Sequence, residues 1–425
     1  MEQQALLAIG IFIVTYGIVI SEKIHRTIIA MIGGIAIVAL GIVPQEEALH
    51  HIDFNTLGLL IGMMIIVSVT AETGMFRFLA VWAAKKAGGD PLRILIALFL
   101  ITAIVSAFLD NVTTVLLMVP VTFSITRQLG ISPLPYLMSQ IMASNIGGTA
   151  TMIGDPPNIM IGSKTDLTFM EFITNLAPIV IIILILTALF FAFFYRKSLR
   201  TTPERKAELM TLDERVEITN KPLLRKSLIV LALTIVGFFI HQAIHMESAT
   251  VALAGAFLLL LFTGERFLEK SLERVEWTTI FFFVGLFVLV SGLVETGVIA
   301  TLAERAIDLT GGNITAASLI ILWLSAIASA FIDNIPFVAT MIPLIQEMGQ
   351  QGVTNLDPLW WSLSLGACLG GNGTLIGASA NLIVVGLAAK EGHRITFLAY
   401  LKLGFPLMLG AVAVSTVYVY FRYLM

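Results

Sequence analysis

The chain has 425 residues, of which 57% are hydrophobic and only 12% are charged. Soluble domains carry roughly 25% charged residues, so the composition excludes a soluble globular protein and predicts an all-α polytopic membrane protein. The net charge of -3 points to no partner, and the single cysteine, Cys368, excludes an internal disulfide and a cysteine-built metal site.

Eight apolar runs form uninterrupted candidate membrane spans, since a helix needs about 20 residues to cross the hydrocarbon core. The first follows "MEQQ" without a basic flank or a small-residue cleavage site, which indicates a span and not a signal peptide. The eight runs are 5–21, 26–43, 55–75, 175–195, 228–244, 249–263, 277–297 and 403–421. Four further runs, interrupted by polar residues, Gly or Pro, are 92–126, 134–163, 315–346 and 358–388.

An internal repeat relates the two halves of the chain. At an offset of 223 residues, 54–158 aligns with 277–381 without a gap, with 31 identities in 105 positions. "SAFLDNV" from Ser106 meets "SAFIDNI" from Ser329, and "GGTATMIGDPPN" from Gly147 meets "GGNGTLIGASAN" from Gly370. The predicted units are therefore a first repeat (1–196), a linker (197–223) and a second repeat (224–425).

The distribution of Lys and Arg predicts the orientation of the spans. If the N-terminus is outside and the runs 92–126 and 315–346 are re-entrant hairpins, 22 of the 25 basic residues lie in the cytoplasm, including those of the linker. Both termini are then outside, the repeats are inverted, and the inner (plasma) membrane is the expected location. Inverted repeats are common in secondary transporters.

Each hairpin carries an Asp-Asn step between two apolar arms of about 15 residues, which is long enough for half a crossing in each direction. The steps are Asp110-Asn111 and Asp333-Asn334. Asp and Asn are good helix N-caps, so each pair is expected at a hairpin tip. An ionisable residue inside a membrane is a functional candidate by default, and here it recurs at equivalent positions.

The runs 134–163 and 358–388 are predicted to be broken helices. "GDPPN" interrupts the first run, because proline removes a backbone donor and disfavours helix in the preceding residue. Clustered glycines interrupt the second. Freed backbone groups at membrane depth are tolerated only where protein or a watery cavity satisfies them, so the two tips and the two breaks are expected to converge.

These motifs resemble the ion transporter superfamily, within it the branch of arsenite carriers (ArsB), sodium/proton antiporters (NhaD) and the melanosomal P protein. The resemblance covers essentially the whole chain. It implies a scaffold domain and a mobile transport domain, an elevator-like alternating-access mechanism, a homodimer, and a site where hairpin tips meet broken helices.

The candidate site residues come from these tips and breaks. Asp110, Asn111, Asp333 and Asn334 are also the expected Na+ ligands if Na+ is the coupling ion. The full set is Asp110, Asn111, Thr113, Thr114, Asn145, Gly147, Gly148, Thr149, Thr151, Asp155, Asn158, Asp333, Asn334, Gly370, Gly371, Asn372, Thr374, Ser379 and Asn381.

Two acids beside a dicarboxylate would repel it, and basic residues that could offset them are not expected at the site because nearly all Lys and Arg fall in loops. The sequence therefore favours a proton- or sodium-coupled secondary transporter of a neutral or cationic substrate. Family labels rank arsenite or antimonite efflux first and Na+/H+ antiport second, with an anion transporter or channel like the P protein as a further alternative.

No enzymatic activity, organic cofactor or nucleic-acid partner is expected. The expected partners are the lipid bilayer, a small inorganic ion or metalloid, and a second copy of the chain. A soluble energising ATPase stays open as a further partner.

Overall fold

The computed structural model describes residues 2–21 and 23–425, and this part of the chain is helical without β-strands. Nine of its helices are long and apolar enough to cross a membrane, judged by length and composition. The helices are α1 (Glu2–Ser21), α2 (Arg26–Ala39), α3 (Gln45–His50), α4 (Phe54–Ala71), α5 (Met75–Lys86), α6 (Pro91–Phe108), α7 (Asn111–Leu129), α8 (Leu134–Gly148), α9 (Pro156–Lys164), α10 (Phe169–Tyr195), α11 (Pro203–Met210), α12 (Lys221–Ile240), α13 (Ser248–Thr263), α14 (Leu268–Glu273), α15 (Trp277–Glu295), α16 (Val298–Thr310), α17 (Ile314–Phe331), α18 (Asn334–Gln350), α19 (Asp357–Gly370), α20 (Ser379–Lys390) and α21 (Phe397–Val419).

The helices recur with the 223-residue period of the sequence. α6 and α17 are both 18 residues long and begin 223 residues apart. α8 and α19 also begin 223 residues apart. Helices α1–α10 correspond in order to α12–α21, and α11 lies alone in the linker.

Two groups of helices make up the fold. In the first, α2 packs against α15 and α4 against α13, so that each pair joins the two repeats. Glycines permit these approaches: a Cβ on Gly34 would lie 2.8 Å from the backbone oxygen of Gly285. In the second group, each hairpin packs on the broken helix of its own repeat, α6 on α8 and α17 on α19. The first group is the counterpart of the scaffold, and the second of the transport subdomain, that the family resemblance implies.

The hairpin arms are longer than the sequence predicts. α6 and α7 contain 18 and 19 residues, and α17 and α18 contain 18 and 17. At 1.5 Å per residue each is roughly 25–29 Å long, so the expected length of about 15 residues per arm is wrong. The reason is that α6 and α17 fill the predicted runs up to the Asp-Asn steps, while α7 and α18 continue past the ends of the runs at 126 and 346, through polar residues, to Leu129 and Gln350. Re-entrance of the hairpins stays a prediction.

The linker packs on the first repeat. The Lys85 ammonium contacts the Glu214 carboxylate at 2.5 Å, and the Thr201 hydroxyl donates to the Leu129 carbonyl at 2.5 Å. The cytoplasmic location of the linker stays a prediction, and the contacts tie it to the ends of α5 and α7.

An acidic side chain ends one long scaffold helix in each repeat and pairs with the other repeat. Glu72 follows α4 and pairs with Lys270 and Arg274. Burial opposes the ionisation of Glu72, but hydrogen bonds and charges from those two side chains outweigh it and hold its pKa below the usual range. The counterpart Glu295 meets His51 at 2.8 Å.

Candidate functional site

The Asp-Asn steps form two buried turns between helices. The Asp110 carboxylate caps α7 by accepting from the Thr113 amide at 2.8 Å, and the Asp333 carboxylate caps α18 by accepting from the Ile335 amide at 3.1 Å. Both aspartates are 7% exposed. Each cap satisfies one of the backbone N–H groups that a helix start leaves free, so each aspartate helps to start the returning helix of its own hairpin.

The helix breaks span 149–155 and 371–378, and their freed carbonyls are satisfied by asparagine side chains. The Asn158 amide donates to the carbonyls of Thr149 and Thr151 at 3.1 and 2.9 Å. In the second repeat, the Asn381 amide donates to the carbonyls of Gly371 and Thr374 at 2.7 and 2.9 Å. Protein groups thus replace the water that is missing at this depth.

Threonine hydroxyls tie each break to its hairpin. Thr151 donates to the carbonyl of Ala107, and Thr374 donates to that of Ala330. These two hydroxyls therefore fix backbone, and the predicted role of orienting an ion or a substrate is not visible in their contacts.

Asp155 lies between the two hairpin tips. The Asn111 amide donates to its Oδ1 at 3.3 Å and the Asn334 amide donates to the same oxygen at 3.2 Å. Asp155 is fully buried, and its second oxygen, Oδ2, has no partner among the described residues. The two repeats thus meet at one carboxylate that only the first repeat supplies, since Ala378 stands at the equivalent position.

Asn145 connects this centre to the second break. Its Oδ1 accepts from the Asn111 amide at 3.1 Å, and its own amide donates to Oδ1 of Asn372 and Oδ1 of Asn381 at 3.0 and 2.9 Å. One side chain therefore joins the first hairpin tip to both ends of the second break.

Arg26 brings a positive charge to the site, which corrects the expectation that no basic residue lies there. Its guanidinium pairs with the Asp333 carboxylate, and the same nitrogen donates to the Ser379 hydroxyl at 2.7 Å. The sequence predicts Arg26 in the turn before the second span, but it is the first residue of α2. Its side chain reaches the site because the start of α2 lies beside the second hairpin tip. A cation at a helix N-terminus opposes the helix dipole, and this mismatch was the available sequence signal.

Glu276 is a second residue that the sequence interpretation missed. It precedes α15 without capping it, and its carboxylate accepts from the Thr279 hydroxyl at 3.1 Å. In the first repeat the equivalent Asp53 does cap its helix, accepting from the amides of Asn55 and Thr56. No feature of the sequence around Glu276 indicates that its side chain faces the tips.

A small cavity of about 20 Å³ lies between the tips and the scaffold. It is lined by the carboxyl-bearing residues Asp110, Asp155 and Glu276, together with Asn111 and Asn334. A cavity of 10–15 Å³ holds one water, so this one has room for a single small occupant. Oδ1 of Asn111 and Oδ2 of Asp155 are buried acceptors without partners.

Two larger cavities adjoin the small one, and Glu276 lines all three. A cleft of about 480 Å³ is lined by His25, Arg26, Asp333 and Ser379 together with aliphatic side chains of α1 and α20. A cavity of about 380 Å³ includes Thr113 and the α4 side of the scaffold.

Other predicted residues make close contacts within their own repeat. Added Cβ atoms on Gly147 and Gly370 would collide with the backbone of Ala103 and Ala326, and one on Gly148 would meet Gly154. The Thr149 hydroxyl donates to the Asn145 carbonyl at 2.7 Å. Thr114 is buried, and its hydroxyl has no partner among the described residues.

One group of metal-type ligands occurs elsewhere among the described residues. Single ligand atoms of Glu47, His51 and Glu295 lie within 4.8 Å of one another. At the 223-residue offset, Glu47 and His51 correspond to Lys270 and Arg274, which pair with Glu72. The group is therefore the counterpart, at the repeat offset, of the structural ion pairs that Glu72 forms with Lys270 and Arg274.

A buried polar site held between two repeats of apolar helices defines the class of protein: a membrane transporter. Residues 16–366 match the family described as citrate transporter, and the chain belongs to that family.

Its relatives agree with this class. The chain is 43% identical over 430 residues to an uncharacterized transporter of Mycobacterium tuberculosis, with 99% of each chain covered. It is 35% identical to the P protein of Mus musculus over 98% of this chain and 60% of that protein. These matches confirm the resemblance to the branch that contains the P protein.

A solved structure shares the fold. The crystal structure of the Alcanivorax borkumensis YdaH transporter, described as having an unusual topology, superposes with a TM-score of 0.59 at 12% identity. The match covers 98% of this chain and 97% of that one.

Proposed function

We propose that this protein is a secondary active transporter driven by H+ or Na+, with the coupling ion held where the hairpin tips meet the broken helices. One observation carries the proposal. Four carboxyl-bearing residues, Asp110, Asp155, Asp333 and Glu276, line the small cavity and the adjoining cleft of about 480 Å³, and Arg26 supplies the one guanidinium among the described residues of these two linings. Four negative charges against one positive leave a formal charge of about -3 in a largely buried site, which only protons or cations can offset at tolerable cost.

The geometry supports cation/proton antiport best. The cavity of about 20 Å³ has room for one small ion. Both tip amides already donate to Asp155, so a carboxylate substrate such as citrate would have to displace that side chain while facing its charge. Membership of the citrate transporter family does not by itself fix the substrate of this chain.

Arsenite or antimonite efflux, ranked first from the sequence, stays the alternative proposal. Neutral arsenous acid has four heavy atoms and exceeds the small cavity, so it would bind in the adjoining cleft of about 480 Å³. There, carboxylates of Asp333 and Glu276 could accept hydrogen bonds from its hydroxyls. The elevator-like movement and the homodimer rest on the family resemblance and are part of the same proposal.

The test is proton movement in proteoliposomes that hold a pH gradient. We expect Na+ or Li+ to dissipate the gradient with saturable kinetics, and arsenite to do so only if it is the exported substrate. Citrate should have no effect. If Na+, Li+ and arsenite all leave the gradient intact while citrate collapses it, cation/proton antiport and arsenite efflux are both wrong and the protein is a proton-coupled citrate carrier. Flux that neither saturates nor depends on the ion gradient would indicate a channel.

A further inference from the structure

The pseudo-symmetric aspartates Asp110 and Asp333 have different electrostatic surroundings. Asp333 is paired with the guanidinium of Arg26 and also accepts from the Ser379 hydroxyl at 2.8 Å. At the 223-residue offset, the position equivalent to Arg26 is Ala249, so the first repeat receives no matching cation. Among the described residues, Asp110 forms no ion pair within 4.0 Å.

The lining of the cavity of about 20 Å³ shows the same difference between the two aspartates. Its lining includes Asp110, Asp155 and Glu276 but not Asp333, which faces the larger cleft instead. Asp155 and Glu276 also form no ion pair within 4.0 Å among the described residues. The cavity therefore gathers the carboxylates that Arg26 does not pair with directly.

Unpaired acceptors in the cavity point to the class of ligand. Oδ2 of Asp155 and Oδ1 of Asn111 are buried without a donor, and these residues are 0% and 2% exposed. A buried acceptor without a hydrogen-bond donor destabilises the folded protein. Both atoms need a positive or hydrogen-bond-donating ligand, and carboxylate and amide oxygens are the ligands that hard cations prefer.

We infer that the protein binds one dehydrated monovalent cation in this cavity, through Asp110, Asp155, Asn111 and Glu276, and that Asp333 is not a ligand because Arg26 neutralises it. This inference rests on the proposed function. It places the ion site of that function in the first repeat, with Glu276 of the scaffold as a further carboxylate ligand. Since Glu276 precedes α15 while Asp110 lies at a hairpin tip, the cation would bridge the two subdomains.

The experiment measures 22Na+ binding to purified protein in detergent. Wild type should bind one Na+ per chain. Asp110→Asn should weaken binding at least tenfold, although Asn keeps the N-cap of α7. The exclusion of Asp333 is tested by the double variant Arg26→Gln with Asp333→Asn, which removes the ion pair without leaving a lone charge and should bind Na+ within about threefold of wild type.

Arg26→Gln alone gives a readout that a purely structural role would not produce. It frees the Asp333 carboxylate, so the number of bound Na+ per chain should rise from one towards two. Size-exclusion elution checks that each variant is folded, and Asp110→Ser, which also caps helices, replaces Asp110→Asn if that variant aggregates.

Two outcomes would overturn the inference. Equal loss of binding in Asp110→Asn and in the double variant would mean that the two aspartates act alike. Absence of Na+ binding in wild type would mean that the cavity is not a Na+ site. Gradient-driven proton movement in the liposome assay would then still support the proposed function. The two failures are therefore distinguishable.

Discussion

At the scale of single residues, the two repeats differ most where they meet. Asn145 and Asp155 of the first repeat are matched by Cys368 and Ala378 in the second. Asn145 bonds to three asparagines and Asp155 to two. The polar centre is thus not a symmetric pair of sites but one network, in which two residues of the first repeat, Asn145 and Asp155, connect asparagines of both repeats.

We expect Asn145→Ala to destabilise the protein. The change removes the donor to Asn372 and Asn381, and each buried acceptor left unpaired costs about 1–3 kcal/mol. The thermal unfolding midpoint in detergent should fall clearly below that of wild type. The matched control is Asn355→Ala, at an exposed loop position, which should leave the midpoint within error. Equal midpoints for both variants would show that the network does not stabilise the fold.

At the scale of helices, close backbone approach positions the broken helices against the hairpins. α8 meets α6 at Gly147, where an added Cβ would lie 2.6 Å from Cα of Ala103. The equivalent Gly370 meets Ala326 in the same way, with a distance of 2.8 Å. Small residues allow such contacts between membrane helices, and the recurrence explains why both glycines persist at the repeat offset.

Gly147→Ala should therefore separate α8 from α6. Overpacking of this kind typically costs about 1–3 kcal/mol, and here it would also shift the break that carries Asp155. We expect a lower thermal midpoint and slower gradient-driven flux. Gly386→Ala is the control, because nothing lies within 4 Å of an added Cβ there. A Gly147→Ala variant with wild-type midpoint and flux would contradict this account.

At the scale of the whole molecule, the helix pairs α2–α15 and α4–α13 join the repeats, and the predicted inversion places equivalent pairs at opposite membrane faces. The ends of these pairs differ in charge. The start of α2 and α15 presents Arg26 and Glu276 to the tips, whereas the start of α4 and α13 is joined by Asn55, whose Oδ1 accepts from the Ala249 amide at 2.8 Å.

The predicted orientation can be tested by cysteine labelling, since the single native cysteine, Cys368, is fully buried. Asp166→Cys and Glu208→Cys place thiols at exposed positions in the α9–α10 connection and in the linker. A membrane-impermeant maleimide added to intact cells should label the first and not the second. Labelling of both from the same side would make the predicted topology wrong.

Much of the fold follows from local sequence properties. Hydropathy identifies the spans, the repeat aligns them, and Asp-Asn steps and Gly-Pro clusters place the tips and the breaks within a few residues of their observed positions. The arm lengths were underestimated because α7 and α18 continue through polar residues past the ends of the apolar runs, so a loss of hydropathy there does not mark the end of a helix.

Hydropathy, periodicity and backbone chemistry are properties of short segments, so the class of protein, its two repeats and the polar breaks could be predicted without the fold. Which charges face each other could not be predicted in this way. Arg26 and Asp333 are 307 residues apart, and Glu276 belongs to a different subdomain from Asp110. Charge compensation in a low-dielectric site depends on distances of a few Å, and such distances are set by packing between repeats.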